Sequence, residues 1–248
     1  MINFQGIKAV VLDIEGTTCP VDFVTGTLFP YARAALPQYL EQQGNTAELA
    51  AVMAAIWQEW SQETHPSAPS LPPPEARNPA ACVNYLQWLI NQDRKSTPLK
   101  DLQGKIWQQG YASGALTAPL FDDVAPALQR WHAAGLLLAV YSSGSVAAQQ
   151  LLYRHSNAGD LRPLFSGWFD THLGPKRESH SYGRLAAALA TPAQALLFIS
   201  DSGAELEAAS AAGLQVCGSE RAGNPESLAA NWPKLDNFSL LAINSSAA

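Results

Sequence analysis

Cysteine is scarce in this sequence, with three residues in 248, at Cys19, Cys82 and Cys217. Their number is odd and they lie far apart, so they offer neither a disulfide framework nor the paired spacing of a zinc site. Unpaired thiols of this kind are typical of proteins in a reducing compartment. The cysteine pattern therefore predicts a protein of the cytoplasm that has no structural disulfides and no zinc.

Positive charge is also scarce. Lys and Arg number 15 against 21 Asp and Glu, which gives a formal net charge of −6, whereas nucleic-acid-binding proteins usually present a basic face. No apolar run approaches the roughly 18 residues that a membrane helix needs. The first residues, MINFQGIKAVVLDIEG, place strand pattern and charge where a secretory signal would have its apolar segment. We therefore expect no nucleic-acid partner, no membrane association and a cytoplasmic location.

The most informative stretch is AVVLDIEGTT, residues 9–18. Its apolar run predicts a buried strand, and Gly16 followed by two threonines predicts the tight turn that ends it. Because residues i and i+2 of a strand point the same way, Asp13 and Glu15 are predicted to project together. Two adjacent carboxylates repel each other unless a metal ion or a proton lies between them. The pair therefore suits a nucleophile with a neighbouring acid/base, or a hard-metal site, and a solvated acidic turn is the alternative.

The stretch from residue 21 to residue 117 contains no convincing strand. Apolar residues recur there at three- and four-residue steps, which is the spacing of an amphipathic helix. The segment HPSAPSLPPPEARNP interrupts this pattern and predicts a stiff extended loop. Pro37 is expected to kink or split the first helix. Helices are predicted over residues 25–44, 46–63, 80–93 and 98–113.

From Val124 onward, helical and strand patterns alternate, which predicts a parallel sheet with right-handed crossovers. Asp122 or Asp123 is predicted to cap the helix that runs to about Ala134. Strands after the first are predicted over residues 136–141, 168–171, 195–200 and 214–217.

The predicted fold class is therefore α/β. Residues 1–20 and 118–248 are expected to form a doubly wound, Rossmann-like parallel-sheet core. Residues 21–117 are expected to form an all-helical cap domain, inserted after the first strand.

Polar side chains follow four of the predicted strands, at the strand end or in the adjoining loop, and parallel strands end at one edge of their sheet. Each residue alone has an ordinary explanation, such as a helix cap or a solvated loop, but their joint order is harder to obtain by chance. In chain order these residues are Asp13 and Glu15, Ser142 and Ser143, Lys176, and Asp201 with Glu205 one helical turn later.

This set of groups suits phosphoryl transfer, in which catalysis is mainly positioning and charge neutralisation. Asp13 could take the phosphoryl group as an acyl phosphate, and Glu15 could protonate the leaving oxygen and later activate water. Mg²⁺ held by Asp13, Asp201 and waters would reduce the repulsion between nucleophile and substrate. Lys176 adds positive charge, and Ser142 beside helix N-terminal N–H groups could hold a phosphate oxygen.

These motifs resemble the haloacid-dehalogenase superfamily of phosphatases, whose four loops carry an acid pair, a serine or threonine, a lysine and further acids. The helical insertion resembles the mobile cap of that superfamily. The resemblance is closer to the acireductone synthase family, the enolase-phosphatases of methionine salvage, and extends from about Lys8 to Gly223. It rests on the segments DIEGTT, LFPYAR, DRKSTPLK with QGKIWQQGY, YSSGSV, FDTHLGPKRESHSY and SDSGAELEAA.

The resemblance implies a monomeric enzyme with one Mg²⁺ per chain. It would enolise 2,3-diketo-5-methylthiopentyl-1-phosphate and then remove the phosphate, giving the acireductone 1,2-dihydroxy-3-keto-5-methylthiopentene. By motif, Asp13, Glu15 and Asp201 match the metal positions, Glu15 through its main-chain carbonyl. Ser142, Ser143 and Lys176 match the positions that bind the substrate phosphate. Asp13, Glu15 and Lys176 would then be the catalytic residues, with Glu205 supporting them.

Several alternatives remain open from the sequence. A related phosphatase of another small phosphoester has the same core motifs. A dehalogenase needs neither a metal nor an acid at position 15, and a phosphoryl-accepting signalling domain needs no helical insertion, so both are disfavoured. The base for enolisation is either Glu15 or a residue of the cap. Arg94, Lys95 and Lys100 either reach the substrate from the cap or form a solvated basic face.

Overall fold

The computed structural model describes residues 1–92, 94–224, 228–229 and 231–244. The chain forms two compact units, one of Met1–Val24 with Thr117–Ala248 and one of Thr25–Leu116. We call them the sheet unit and the helical unit. The boundaries predicted from the sequence lay after residues 20 and 117, and the role of the helical unit as a cap stays a prediction.

Secondary-structure elements are numbered in chain order. The strands are β1 (Ile2–Gln5), β2 (Ala9–Leu12), β3 (Leu137–Tyr141), β4 (Gly167–Phe169), β5 (Leu196–Ser200), β6 (Gln215–Ser219), β7 (Lys234–Leu235) and β8 (Leu241–Asn244). The α-helices are α1 (Val21–Phe23), α2 (Phe29–Gln43), α3 (Ala47–Ser61), α4 (Val83–Asn91), α5 (Thr97–Ala112), α6 (Val124–Ala133), α7 (Val146–Arg154), α8 (Ser179–Ala188) and α9 (Gly203–Ala211).

The main sheet of the sheet unit has the strand order β4-β3-β2-β5-β6-β7, and all its neighbouring strands pair in parallel. This confirms the predicted α/β class. The first strand of the sheet in the chain, β2, lies in the middle, and the chain builds first on one side of it and then on the other. A crevice at the strand ends is expected at such a switch point, and it is where α/β proteins bind ligands.

The register of the sheet sets the position of the residues that follow the strands. Leu12 at the end of β2 pairs with Val140 of β3 and with Ile199 of β5. The loops after these three strands therefore begin at nearly the same level. Every residue of β2 is fully buried, as expected for a central strand covered on both faces.

One face of the sheet packs against α8 and α9. Alternate residues of each strand share this face because strand side chains alternate with a period of two. The cluster includes Ala9, Val11, Ala139, Tyr141, Leu196 and Phe198 from the strands, and Tyr182, Leu185, Leu206 and Ala209 from the helices. The polar residues at the strand ends thus lie at the edge of this packed hydrophobic core.

Two local expectations need correction. Helix α2 runs unbroken through Pro37, so the predicted split is wrong, and the alternative of a kink stays a prediction. Asp123 stands at the N-cap of α6 but its side chain does not cap the helix. Its carboxylate instead accepts hydrogen bonds from the guanidinium of Arg221 at 2.8 and 2.9 Å. The propensity of aspartate for N-caps was outweighed by a buried cation 98 positions later in the chain.

The parallel pair of β1 with β8 was not anticipated, and neither was β7. The two strands of the pair stand at opposite ends of the sequence, so no local pattern connects them. Strand β7 has only two residues, which is too short for alternation to be recognised.

The helical unit contains a row of stacked aromatic rings. The centroid distances along it are 5.6 Å from Trp57 to Trp60, 4.6 Å from Trp60 to Tyr85 and 5.9 Å from Tyr85 to Trp88. The indole N–H of Trp60 donates to the Pro69 carbonyl, which ties the proline-rich loop to the row. In the described part of the chain, no helix has the length and apolar character needed to cross a membrane.

Candidate active site

Asp13 lies at the end of β2 with its carboxylate buried. One carboxylate oxygen, Oδ1, accepts the Ile14 main-chain N–H at 2.8 Å and lies 2.8 Å from the ammonium of Lys176. The other, Oδ2, accepts the Ser200 hydroxyl at 3.1 Å. Three donors from three different elements therefore fix the direction of this carboxylate, which is the preorganisation that a nucleophile requires.

Lys176 is buried beside Asp13. Its ammonium lies 2.8 Å from Asp13 Oδ1 and 2.6 Å from Glu205 Oε2. Burial by itself lowers the pKa of this lysine, but attraction and hydrogen bonding to the two carboxylates outweigh burial and raise the pKa. Lys176 is thus a fixed positive charge at neutral pH and not a proton donor.

The carboxylates around Lys176 outnumber it. Burial, together with repulsion from Asp13, raises the pKa of Asp201 to about 7 and the pKa of Glu205 to about 7. Burial and then Asp13 also raise the pKa of Glu15. Within the described residues, no side chain donates a hydrogen bond to the carboxylate of Glu15 or of Asp201. The site therefore holds more negative charge than the protein neutralises.

Gly16 lets the turn after β2 approach Asp201 closely. Its φ is +65°, in the left-handed region that side chains disfavour. A Cβ added at Gly16 would lie 2.2 Å from Asp201 Oδ2, well inside contact distance. Only glycine therefore fits at the point where the turn that carries the acid pair meets the end of β5.

Ser142 and Ser143 follow β3, and neither caps the next helix. The Ser142 N–H donates to the Phe169 carbonyl at 3.2 Å, and its hydroxyl accepts the Gly144 N–H at 3.3 Å. Helix α7 is capped by Ser145, whose hydroxyl accepts the Ala148 N–H at 3.4 Å. The ordinary explanation of Ser142 and Ser143 as helix caps is therefore wrong, although their binding role stays a prediction.

Two residues that support the site were not predicted from the sequence. Ser200 donates to Glu205 as an alternative to Asp13, at 3.0 Å, and so lies between the two carboxylates. Gln149 is buried in α7, and its amide donates at 2.8 Å to both the Gly144 and the Phe169 carbonyls, which fixes the loop after β3. The serine directly precedes Asp201, so its position at a strand end was a usable signal, whereas nothing local marked the glutamine.

The structure thus brings Asp13, Lys176 and Glu205 into direct contact. Glu15 and Asp201 lie close enough to Asp13 for their pKa values to respond to its charge. The basic residues from position 94 to position 100 belong to the helical unit. There Arg94 pairs with Glu63 at 3.2 Å and lies 5.8 Å from the Trp88 ring.

The donor set fits a hard divalent cation. Within the described residues, no group of three or more His, Cys, Asp or Glu side chains is gathered as a metal cluster. Mg²⁺ does not require one, since it is usually held by one or two carboxylates with waters and substrate phosphate. Asp13 and Asp201 supply two carboxylates, and the Glu15 carbonyl accepts no hydrogen bond from the described residues. These oxygens and the surplus negative charge suit such an ion.

Comparison with known proteins gives a consistent result. A family model described as haloacid dehalogenase-like hydrolase matches residues 7–213. "Enolase-phosphatase E1" of Synechococcus sp. (strain RCC307) is 59% identical over 233 residues, covering 94% of this chain and 93% of the relative. "Enolase-phosphatase E1" of Synechococcus elongatus is 52% identical over 232 residues, covering 94% and 96%. The crystal structure of the UTR4 protein from Saccharomyces cerevisiae is 30% identical, with a TM-score of 0.78, covering 94% of this chain and 99% of that one.

Proposed function

This chain belongs to the haloacid dehalogenase-like hydrolases and, within them, to the enolase-phosphatase E1 family, and from that premise we propose its reaction. The proposed substrate is 2,3-diketo-5-methylthiopentyl-1-phosphate, an intermediate of methionine salvage. The protein enolises the diketone and then hydrolyses the phosphate ester. The products are 1,2-dihydroxy-3-keto-5-methylthiopentene and inorganic phosphate.

The observation that carries the phosphatase step is the buried contact between Asp13 and Lys176 at 2.8 Å. A carboxylate nucleophile can approach a phosphate dianion only where nearby positive charge reduces their repulsion. Lys176 supplies that charge in a buried setting where water screens it little. Ser142 and Ser143, at the neighbouring strand end, bind the phosphate oxygens in this proposal, beside the N-terminus of α7.

Asp13 attacks phosphorus and forms an acyl phosphate while the bond to the enol oxygen breaks. Glu15 gives its proton to the departing oxygen and then takes a proton from the water that hydrolyses the acyl phosphate. A carboxyl whose pKa is raised by burial and by Asp13 is better suited to hold that proton near neutral pH. Glu205 keeps Lys176 in place through its contact at 2.6 Å.

The proposal includes one Mg²⁺ per chain. Asp13, Asp201 and the main-chain carbonyl of Glu15 would hold it. When bound, this ion would add positive charge beside the phosphate and favour the ionised forms of the carboxylates. We also propose that the protein works as a monomer in the cytoplasm.

The test follows enol absorbance in the ultraviolet and phosphate release together, on the diketone phosphate, first with Mg²⁺ and then with a chelator. An enol signal that appears before or with phosphate supports the two-step reaction, and loss of phosphate release on chelation supports the Mg²⁺ requirement. Phosphate release without any enol signal would leave a simple phosphatase. No reaction here, with turnover of another phosphoester, would refute the proposed substrate.

A further inference from the structure

The end of β6 and the residues after it hold the turn that carries the acid pair. The Gly16 carbonyl accepts two hydrogen bonds, one from the hydroxyl of Ser219 at the end of β6 at 2.9 Å and one from the Asn224 amide at 3.0 Å. The Thr17 carbonyl accepts the Nε–H of Arg221 at 3.3 Å. We call Ser219, Arg221 and Asn224 the carbonyl clamp. Its members contact main-chain atoms of the turn, next to Glu15.

Arg221 anchors this clamp. Its guanidinium is buried and pairs with both oxygens of Asp123 at 2.8 and 2.9 Å. It lies between two aromatic rings, 4.5 Å from the centroid of Phe121 and 4.6 Å from that of Phe238. It also donates to the Asp236 carbonyl at 2.5 Å. An arginine held on every side in this way ties its own position in the chain to Asp123 and the turn.

Asn224 bridges the turn after β2 and the end of β6. Besides the Gly16 carbonyl, its amide donates to the Ser219 carbonyl at 3.1 Å. Its Oδ1 would lie 2.8 Å from a Cβ added at Gly16, so the asparagine also packs against the turn. Gly16 is thus enclosed by Asn224 and by Asp201.

The Glu15 side chain leaves the chain directly before the carbonyls that the clamp holds. Within the described residues no side chain donates a hydrogen bond to its carboxylate. The carboxylate of Asp13, by contrast, is fixed by the three donors described above. The backbone of residues 15–17 therefore sets where the Glu15 side chain begins, and the hydrogen bonds of the carbonyl clamp hold that backbone.

We propose that Asn224 and Ser219 are positioning residues for Glu15, which align its carboxyl for proton transfer through their hydrogen bonds to the Gly16 carbonyl. The inference rests on the proposed function, because proton transfer by Glu15 is a step of it. A displacement of about 1 Å at a reacting group can lower a rate by about 10²-fold. Neither residue touches the reacting atoms in this account.

The experiment measures steady-state phosphate release from the diketone phosphate with Mg²⁺. It compares the wild type, Asn224→Ala, Ser219→Ala, the double variant, and Glu15→Gln with and without the double change. Asn157→Ala is the matched control, since its amide also donates to a main-chain carbonyl, that of Leu120, at 3.0 Å. Thermal unfolding of each variant shows whether it is folded under the assay conditions.

We expect the double variant to lower kcat by about 10²-fold, with KM within about threefold and each single change smaller. In the Glu15→Gln background the same double change should lower kcat by less than about threefold, because the residue that it positions is gone. Asn157→Ala should stay within about twofold of the wild type.

A purely structural role would lower kcat by the same factor in both backgrounds, and that result overturns the inference while leaving the proposed function intact. Wild-type kcat in the folded double variant would also overturn it. If the double variant does not fold, the two single changes in the two backgrounds give the same comparison. If the wild type releases no phosphate, the proposed function fails and the positioning role fails with it.

Discussion

The two buried cations of the sheet unit, Lys176 and Arg221, have opposite electrostatic surroundings. Lys176 contacts the carboxylates of Asp13 and Glu205, and its charge also acts on Glu15 and Asp201, so one ammonium interacts with four carboxylates. Among the described residues, Arg221 pairs with a single carboxylate, that of Asp123, and is enclosed by aromatic rings.

In our proposal, the difference separates a site that does chemistry from one that holds the fold. A balanced pair with its hydrogen bonds satisfied needs no further partner. A cluster with surplus negative charge raises the pKa of its own acids, as burial and Asp13 do for Asp201 and Glu205, and is stabilised by an added cation. Burial of a charged group alone does not point to a function, whereas an unbalanced group of charges marks a candidate site.

The largest expected effect comes from replacing the aspartate partner of each cation with asparagine, which has nearly the same shape. Asp13→Asn should lower kcat by about 10⁴-fold or more, because the amide is not a nucleophile, and should leave the fold intact. Asp123→Asn should keep kcat within about tenfold but lower the free energy of unfolding by about 3 kcal/mol, because it breaks a buried ion pair. Phosphate release and denaturant unfolding of the two variants check this.

Substantial phosphatase activity in folded Asp13→Asn would contradict the covalent mechanism. Equal losses of stability in the two variants would remove the distinction between the two cation sites.

Removal of the cations themselves should give the next largest effect. Lys176→Met should lower kcat/KM by about 10²- to 10³-fold, since it removes a charge aimed at the reacting phosphate. Arg221→Met should instead lower the free energy of unfolding by about 3–5 kcal/mol, because Asp123 stays buried without a partner. The assay is kcat/KM on the diketone phosphate, with urea unfolding in parallel. Unchanged kcat/KM in Lys176→Met would refute its assigned role.

Stability should depend on pH through the crowded site. The pKa of Glu205 is about 7 in the folded protein against an ordinary 4.5. Between those values the folded state retains a proton that the unfolded state has lost, so the free energy of unfolding falls as pH rises through this window. Asp201 acts in the same direction. Urea unfolding at pH 5, 6, 7 and 8, with a metal chelator present, measures this dependence. The free energy of unfolding should fall less steeply with pH for Glu205→Gln than for the wild type.

The control for this measurement is Glu207→Gln, an exposed glutamate on the same helix. It should keep the wild-type slope. If the free energy of unfolding changed equally with pH in all three proteins, burial of Glu205 would not contribute to the pH dependence of stability.

The smallest effect is expected at the ring that covers Arg221. Phe121→Leu removes one cation–π contact, at 4.5 Å, and keeps an apolar side chain. It should lower the free energy of unfolding by about 1 kcal/mol with kcat unchanged within twofold. A loss of activity without a loss of stability would mean that Arg221 itself acts in the reaction and would remove the contrast with Lys176.

Much of the sheet unit was predictable because its strands are short apolar runs ended by polar residues. Strand β3 was expected over residues 136–141 and is Leu137–Tyr141, and β5 was expected over 195–200 and is Leu196–Ser200. The residues that follow such strands must meet at one edge of a parallel sheet. That rule predicts that Asp13, Lys176 and Glu205 lie together, although their catalytic roles stay predictions.

Other features could not be predicted because their partners lie far apart in the chain. The sequence predicts Asp122 or Asp123 as a helix cap. Only folding brings the side chain of Arg221 into contact with Asp123. The bond from Gln149 to the Phe169 carbonyl likewise joins residues that no local pattern connects.

The sequence by itself determined the α/β class, the helical insertion and the identity of the polar groups at the strand ends, because strand periodicity and turn residues act locally. Only the tertiary structure decided which of these groups lie close enough to interact electrostatically. It placed one ammonium where it interacts with four carboxylates, and it placed the Gly16 carbonyl within reach of Ser219 and Asn224. Electrostatic and hydrogen-bond energies depend on distances of a few ångströms, and for residues distant in sequence those distances are set by folding.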